Sequence, residues 1–260
     1  MQSSIAVRGA DGPWFLTNAS PDLRRQLEGL PGSSRNGIRV APVAAVLLTD
    51  AEIDHTAGLL LLRESSAPLT VCGSDAVRGA LTHGFPVLSI LERYCGIDWR
   101  TLEPGRPFAL EGSSLEVERF PVGGDAPLYL GGGEVEASGL VFRDRATGGV
   151  LTYAPALARL DHDVLARFAA SDAVLVDGTF WTDDELPRLG IARRTAREMG
   201  HVPLSGRAGT LETLARIERP RKILVHVNNT NPVLLEDSPE REAVVRAGAE
   251  VAHDGLEVEL

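Results

Sequence analysis

At 260 residues, with 43% hydrophobic and 24% charged side chains, the chain has the composition of a globular protein with a sizeable core; long disorder is excluded and one compact domain is expected. A net charge of −10 opposes binding to a phosphate backbone, so nucleic acid is not an expected partner. The longest apolar runs, 41–48 and 58–62, are too short to cross a bilayer and residues 1–20 lack a signal-peptide pattern, so a cytoplasmic protein without a membrane partner is expected.

In chain order, Ser3 to Val7 and Trp14 to Thr17 read as two strands joined by a turn through Gly9 to Pro13. Further strands are predicted at Val43 to Thr49, Leu69 to Cys72, Leu115 to Val122, Gly139 to Arg143, Val150 to Tyr153, Ala173 to Asp177, Lys222 to Val227 and Glu257 to Leu260. Helices are predicted between them, at Pro21 to Leu27, His55 to Leu62, Ser74 to Leu81, Asp161 to Phe168, Leu211 to Ile217 and Pro239 to Ala247. The last carries the clearest end signals: Ser238 as N-cap, Pro239 at the first helical position and Gly248 beyond its end. Two strand-rich halves, each followed by helices, predict an α/β (α+β) fold, two sheets packed as an αββα sandwich. The glycines at 123–124 and 131–133 lack a phosphate-loop context and read as a loop beside the site. Cys72 and Cys95 form no C-x-x-C pair and read as free thiols.

Chemistry concentrates where apolar strands end. The run 42–48 leads into Thr49-Asp50-Ala51-Glu52-Ile53-Asp54-His55, where strand alternation would turn Asp50 and Glu52 to one side and bring four ligand-type groups to one cavity. Asp54 is equally suited to cap a helix beginning at His55, and Asp50 and Glu52 to be solvated turn acids. Recurrence favours the metal reading: the strand 173–176 ends in Asp177, and the strand 222–225 ends in His226. His201, in a loop between Gly200 and Pro203, is a candidate ligand or proton donor. His83, His162 and His253 lack such support and read as surface or structural. A nucleophilic hydrolase is disfavoured, because no G-x-S-x-G elbow occurs and neither cysteine has a histidine nearby.

This combination resembles the metallo-β-lactamase superfamily, whose strand-end H-x-H-x-D-H signature stands here as Asp50-Ala51-Glu52-Ile53-Asp54-His55, with Asp177 and His226 at the later ligand positions. Acids replace the first two histidines. Within the superfamily the chain is most similar to the pyrroloquinoline quinone synthesis protein B (PqqB) family. The matching segments are residues 2–7, Asn18 to Arg24, Leu59 to Glu64, Asp177 to Trp181, Met199-Gly200-His201 and His226 to Pro232. The family pattern has a further N-terminal strand with a cysteine cluster for structural zinc, and this sequence starts after that segment.

The resemblance implies a role in making the redox cofactor pyrroloquinoline quinone from a cross-linked glutamate-tyrosine precursor, as an Fe(II)- and oxygen-dependent hydroxylase of the tyrosine ring. It implies Asp54, His55, Asp177 and His226 as iron ligands, with zinc as the other metal. Asp50 and Glu52 then orient His55 or receive a phenol proton, and His201 contacts substrate or transfers a proton. Arg63 is the candidate clamp for a substrate carboxylate, with a structural salt bridge as its alternative. Asn228, Asn229 and Asn231 either line the substrate pocket or fix the backbone after His226. A non-catalytic carrier of the cofactor and a metal-dependent hydrolase are the competing readings, the second weakened by the loss of histidines. A small tyrosine-derived substrate is the expected partner, and a homodimer stays open.

Overall fold

The computed structural model of the chain describes residues 4–10, 12–30, 43–133 and 135–260. The chain divides into two compact units, residues 1–119 with 126–136 and 144–146, and residues 120–125 and 137–143 with 147–260.

The first unit contains β1 (Ile5–Val7), β2 (Phe15–Thr17), α1 (Leu23–Glu28), β3 (Ala45–Leu47), α2 (Ile53–Thr56), β4 (Leu69–Gly73), α3 (Asp75–Gly79), α4 (Val87–Glu92), β5 (Ile97–Thr101) and β6 (Phe108–Ala109). Its five-stranded sheet has the order β1-β2-β3-β4-β5. The predicted hairpin forms, with Ile5 opposite Thr17, and the steps from β2 to β5 are all parallel. A parallel strand covered on both faces needs apolar side chains throughout, and β3 supplies Ala45, Val46 and Leu47, all buried. Leu16, Val46, Val71, Leu59, Leu81 and Leu91 build this unit's core. Each such leucine contributes roughly 1.5–3 kcal/mol on leaving water.

The second unit takes up the chain within β7 (Leu115–Gly123), followed by β8 (Ala137–Asp144), β9 (Val150–Ala154), α5 (His162–Ala170), β10 (Ala173–Asp177), α6 (Glu185–Arg188), α7 (Thr210–Leu214), β11 (Arg221–Val225), α8 (Pro239–Arg246) and β12 (Ala249–Val251). The second sheet runs β12-β11-β10-β9-β8-β7-β6, with β9 to β12 parallel. Ser238 accepts from Arg241 N, the cap signalled in the sequence, and Asp161, expected as the first helical residue, accepts from Val164 N and caps α5 instead. At Gly139 the Phe120 ring comes so close that a Cβ would lie 2.2 Å from its Cζ, which only glycine tolerates.

The register of β10 on β11 places Asp177 beside Val225, and Gly178 N donates to Val225 O. Asp177 and His226 therefore emerge together at the carboxyl edge of parallel strands, where α/β sheets place their ligands.

Several boundaries differ from expectation. No strand forms at 257–260; the edge strand is β12, which follows Gly248 (φ 71°) and pairs Ala249 with Lys222. The helix expected over 55–62 is one α-turn, α2, continued as a 3-10 segment, Ala57–Leu62. β5, β6, α4 and α6 were missed, β5 because its half-buried sequence mixes charge with aromatic residues. Ser3, Asp11, Ala41 and Pro42, parts of the expected first strand, its turn and the run before β3, lie outside the described residues. No described helix is long and apolar enough to cross a membrane. Cys72 is buried and Cys95 half-buried, both free; burial pushes the Cys72 thiol up to about 12.

Candidate metal centre

In the first unit, the loop after β3 is pinned by Asn18, whose side chain donates to Thr49 Oγ1 (2.9 Å) and accepts from Thr49 N (3.1 Å). Asn18 itself holds φ 59°, a conformation asparagine tolerates better than most residues. The pinning turns Asp50 inward, where it accepts from Glu52 N (3.0 Å), Thr49 Oγ1 (2.8 Å) and His55 Nδ1 (2.8 Å). His55 is fixed from behind as well: its carbonyl accepts from Ala19 N, and Gly58 N donates to Ala19 O. A Cβ on Gly58 would lie 2.1 Å from Ser20 O, so the close approach of this turn to the Ala19 loop requires glycine.

Because a carboxylate only accepts, His55 Nδ1 carries a proton in either charge state of the ring, and Nε2 is the atom it can offer a metal on giving up its second proton. Burial alone would lower the His55 pKa, but the Asp50 charge and hydrogen bond, with smaller contributions from Asp54 and Glu52, push it up to about 9. Burial likewise opposes ionisation of Asp50, and His55 with the other donors holds its carboxyl below the usual range. Asp54 Oδ2 lies 3.7 Å from His55 Nε2.

The expected common orientation of Asp50 and Glu52 does not occur. β3 ends at Leu47, the following residues are loop, and the two-residue period of a strand no longer applies; Asp50 is buried and Glu52 exposed at the start of α2. Nor does Asp54 cap the helix, since Glu52 occupies that position, without a side-chain capping bond.

The second unit holds the other expected ligands. Asp177 is fully buried at the end of β10. Its Oδ1 accepts from Thr179 N (2.9 Å) and Thr179 Oγ1 (2.5 Å), and its Oδ2 accepts from Leu157 N (3.0 Å) and lies 2.7 Å from His201 Nδ1. Thr179 Oγ1 is also 2.7 Å from His226 Nδ1. The single hydroxyl proton goes to Asp177, so His226 Nδ1–H donates to Thr179, and both histidines keep Nε2 for a ligand bond. The two rings stack at 5.5 Å and 21°, and Phe180 meets His201 edge-on.

Asp177, His201 and His226 each offer a ligand atom, all within 4.8 Å of one another. Burial would raise the Asp177 pKa, yet the charges of His201 and His226 and the hydrogen bonds from His201 and Thr179 hold it below the usual carboxylate range. His226 sits at φ 57°, a strained backbone for a non-glycine residue and one that clusters at functional sites. Two imidazoles and a carboxylate with their outer atoms already hydrogen-bonded suit a borderline divalent metal such as iron or zinc.

His201 was read as a candidate ligand, substrate contact or proton donor; the structure sets it beside Asp177 and His226 as a third ligand-capable group. Its chain neighbours gave little sign of this, because only the fold brings residue 201 to the end of β10. Asn231 is 2% exposed and its amide is engaged with backbone, donating to Gly178 O and Thr179 O and accepting from Val233 N. It fixes the backbone after His226, one of its two expected roles. Asn228 is half-buried and Asn229 exposed, with Asn228 donating to Thr230 Oγ1. Arg63 lies at the surface against Leu60 O and Glu64, the salt-bridge alternative. His83, His162 and His253 are exposed.

Residues 13–227 match the beta-lactamase superfamily domain. The chain is similar to the Coenzyme PQQ synthesis protein B of Methylococcus capsulatus, at 44% identity over all of this chain and 88% of that protein. It is likewise similar to the crystal structure of Zn(2+)-bound PqqB from Methylobacterium extorquens, with a TM-score of 0.90 and 38% identity over all of this chain and 88% of that one. Unliganded yeast PDE1 shares the fold alone, with a TM-score of 0.70 at 13% identity, covering 98% of this chain and 91% of that one.

Proposed function

The chain belongs to the coenzyme PQQ synthesis protein B family within the beta-lactamase superfamily, and from that premise we propose that it is an Fe(II)- and oxygen-dependent hydroxylase of a tyrosine-derived precursor of the cofactor. Its fold is the metallo-β-lactamase fold that the sequence led us to expect.

The observation that carries the hydroxylase reading is the trio Asp177, His201 and His226. Two histidines and one carboxylate are the donor set of non-haem iron oxygenases, whereas hydrolytic zinc centres of this fold draw on more histidine. When bound, iron supplies the one-electron reactivity toward oxygen that hydroxylation of an aromatic ring requires. Around it the chain's own groups act by orientation: Asp177 holds the proton on His201 Nδ1, and Thr179 holds the His226 ring through Nδ1. In the first unit Asp50 does the same for His55, keeping a proton on Nδ1 and Nε2 as the ligand atom. Asp54, with Oδ2 3.7 Å from His55 Nε2, is the other ligand-capable group of that unit. The overall step inserts one oxygen atom of O2 into a ring C–H bond, and the other leaves as water with two electrons from a reductant and two protons.

Zinc is the second reading for the metal, favoured by the Zn(2+)-bound relative. Anaerobic loading with Fe(II), then addition of oxygen, reductant and a tyrosine-containing precursor, tests the proposal by substrate mass. A gain of one oxygen that disappears in His226→Ala supports it. Stoichiometric iron binding with no mass change on tyrosine-type substrates refutes the hydroxylase and leaves the carrier.

A further inference from the structure

Glu185, the first residue of α6, was not singled out by the sequence and takes no part in the chemistry above, yet it is 1% exposed. No cation contacts its side chain among the described residues. Removing a carboxylate from water without an ion-pair partner is costly, and a neutral side chain of the same size would fill the space more cheaply. What the carboxylate does have is two donors. Its Oε2 accepts from Trp181 N (2.6 Å) and its Oε1 from Thr230 Oγ1 (2.5 Å), while Thr230 Oγ1 in turn accepts from Asn228 Nδ2 (2.8 Å).

These contacts join two loops. Trp181 stands two residues beyond Thr179, on the loop that leaves Asp177, and Thr230 stands four residues beyond His226. We propose that Glu185 is a positioning residue for the metal centre: by bridging Trp181 N and Thr230 Oγ1 it holds the loop of Asp177 and Thr179 in register with the loop of His226.

The other ties between the loops are direct: Asn228 N to Thr179 O, Asn231 Nδ2 to Gly178 O, and His226 Nδ1 to Thr179 Oγ1. All lie close to the ligands. The Glu185 bridge closes the outer end of the same pair, where each loop has turned away from its strand. That placement explains how His226 is kept at φ 57° instead of relaxing.

The need for a carboxylate follows from donor arithmetic. Trp181 N–H can only donate, and the Thr230 hydroxyl donates inward because it already accepts from Asn228. A glutamine has one acceptor oxygen, so its NH2 group would face one of these donors, breaking the bridge at nearly constant volume.

The proposal rests on the reading that Asp177, His201 and His226 hold the metal. Its test is Co(II) binding to the metal-free full chain, read by chelator competition and by the visible absorption of the bound ion, with urea denaturation of the same metal-free proteins alongside. For Glu185→Gln we expect an affinity loss of about tenfold, as for other groups that orient ligands, with an altered visible spectrum under conditions where the protein is fully folded. Thr230→Val should reproduce both changes, and the double variant should lose no more than either single one. The Thr230 variant also decides the matter should Glu185→Gln fail to fold. Co(II) affinity and spectrum unchanged in the folded variants overturn the positioning role, as does an affinity loss with an unaltered spectrum, which marks a general loss of stability. Loss of Co(II) in His201→Ala and His226→Ala but not in the Glu185 or Thr230 variants overturns this proposal alone. Unchanged binding in the two histidine variants overturns the metal assignment and this proposal with it.

Discussion

Asp50→Asn isolates the buried pair of the first unit, because the carboxamide has the carboxylate's shape without its charge. In the metal-free protein His55 is raised from 6.5 to about 9, which at ~1.36 kcal/mol for each pH unit corresponds to about 3 kcal/mol of stability from this group. The sign follows from the direction of the shift. A raised folded-state value means that the contribution is complete below pH 6.5 and disappears as pH rises through about 9. Asp50 shifts the other way, so its share is present above the ordinary carboxylate value near 3.8 and is lost as pH falls below it. The pair is therefore strongest at about pH 4–6.5.

In the variant, Oδ1 still accepts from His55 Nδ1 and Glu52 N, but the NH2 group faces Thr49 Oγ1 and no charge sustains an imidazolium. Burial then keeps the ring neutral. Urea midpoints of both metal-free proteins at pH 5.5, 7 and 9.5 should show the variant about 3 kcal/mol less stable at the lowest pH. The gap should narrow to about 1 kcal/mol at the highest, the value of a neutral hydrogen bond. A gap that is constant across the three pH values would refute the assignment of His55 as a buried imidazolium.

Thr179→Val removes the hydroxyl that links Asp177 Oδ1 to His226 Nδ1 and should cost 10–100-fold in metal affinity, measured by competition with a chelator; wild-type affinity would show that the link does not orient the ligands. Gly58→Ala drives a Cβ to 2.1 Å from Ser20 O, a backbone atom, and should destabilise the metal-free chain by roughly 1–3 kcal/mol in urea denaturation. An unchanged midpoint would mean that the Ala19 loop can move away from the 3-10 segment Ala57–Leu62.

The apolar β-branched runs identified the central parallel strands, because strands covered on both faces must be apolar throughout; β10 matches the expected residues and β3, β4, β9 and β11 differ only at their ends. The cap of α8 was equally legible, since Ser238 and Pro239 act through neighbours in the chain. So was the placing of ligand-type side chains near strand ends: Asp50, His55, Asp177 and His226 all follow apolar runs. Local pattern could not place Glu52, because its orientation depends on where β3 stops and on Asn18, thirty-one residues before Thr49, pinning the loop that follows. Nor could it place His201, which reaches Asp177 across twenty-four residues of chain, or show why Glu185 is buried, since Thr230 lies forty-five residues away. Apolar periodicity and helix caps depend on neighbouring residues and are written in the sequence. Hydrogen bonds between loops exist only once strand register has set the loops side by side, so the tertiary structure alone decided which side chains meet in the candidate metal centre and which carboxylates face inward.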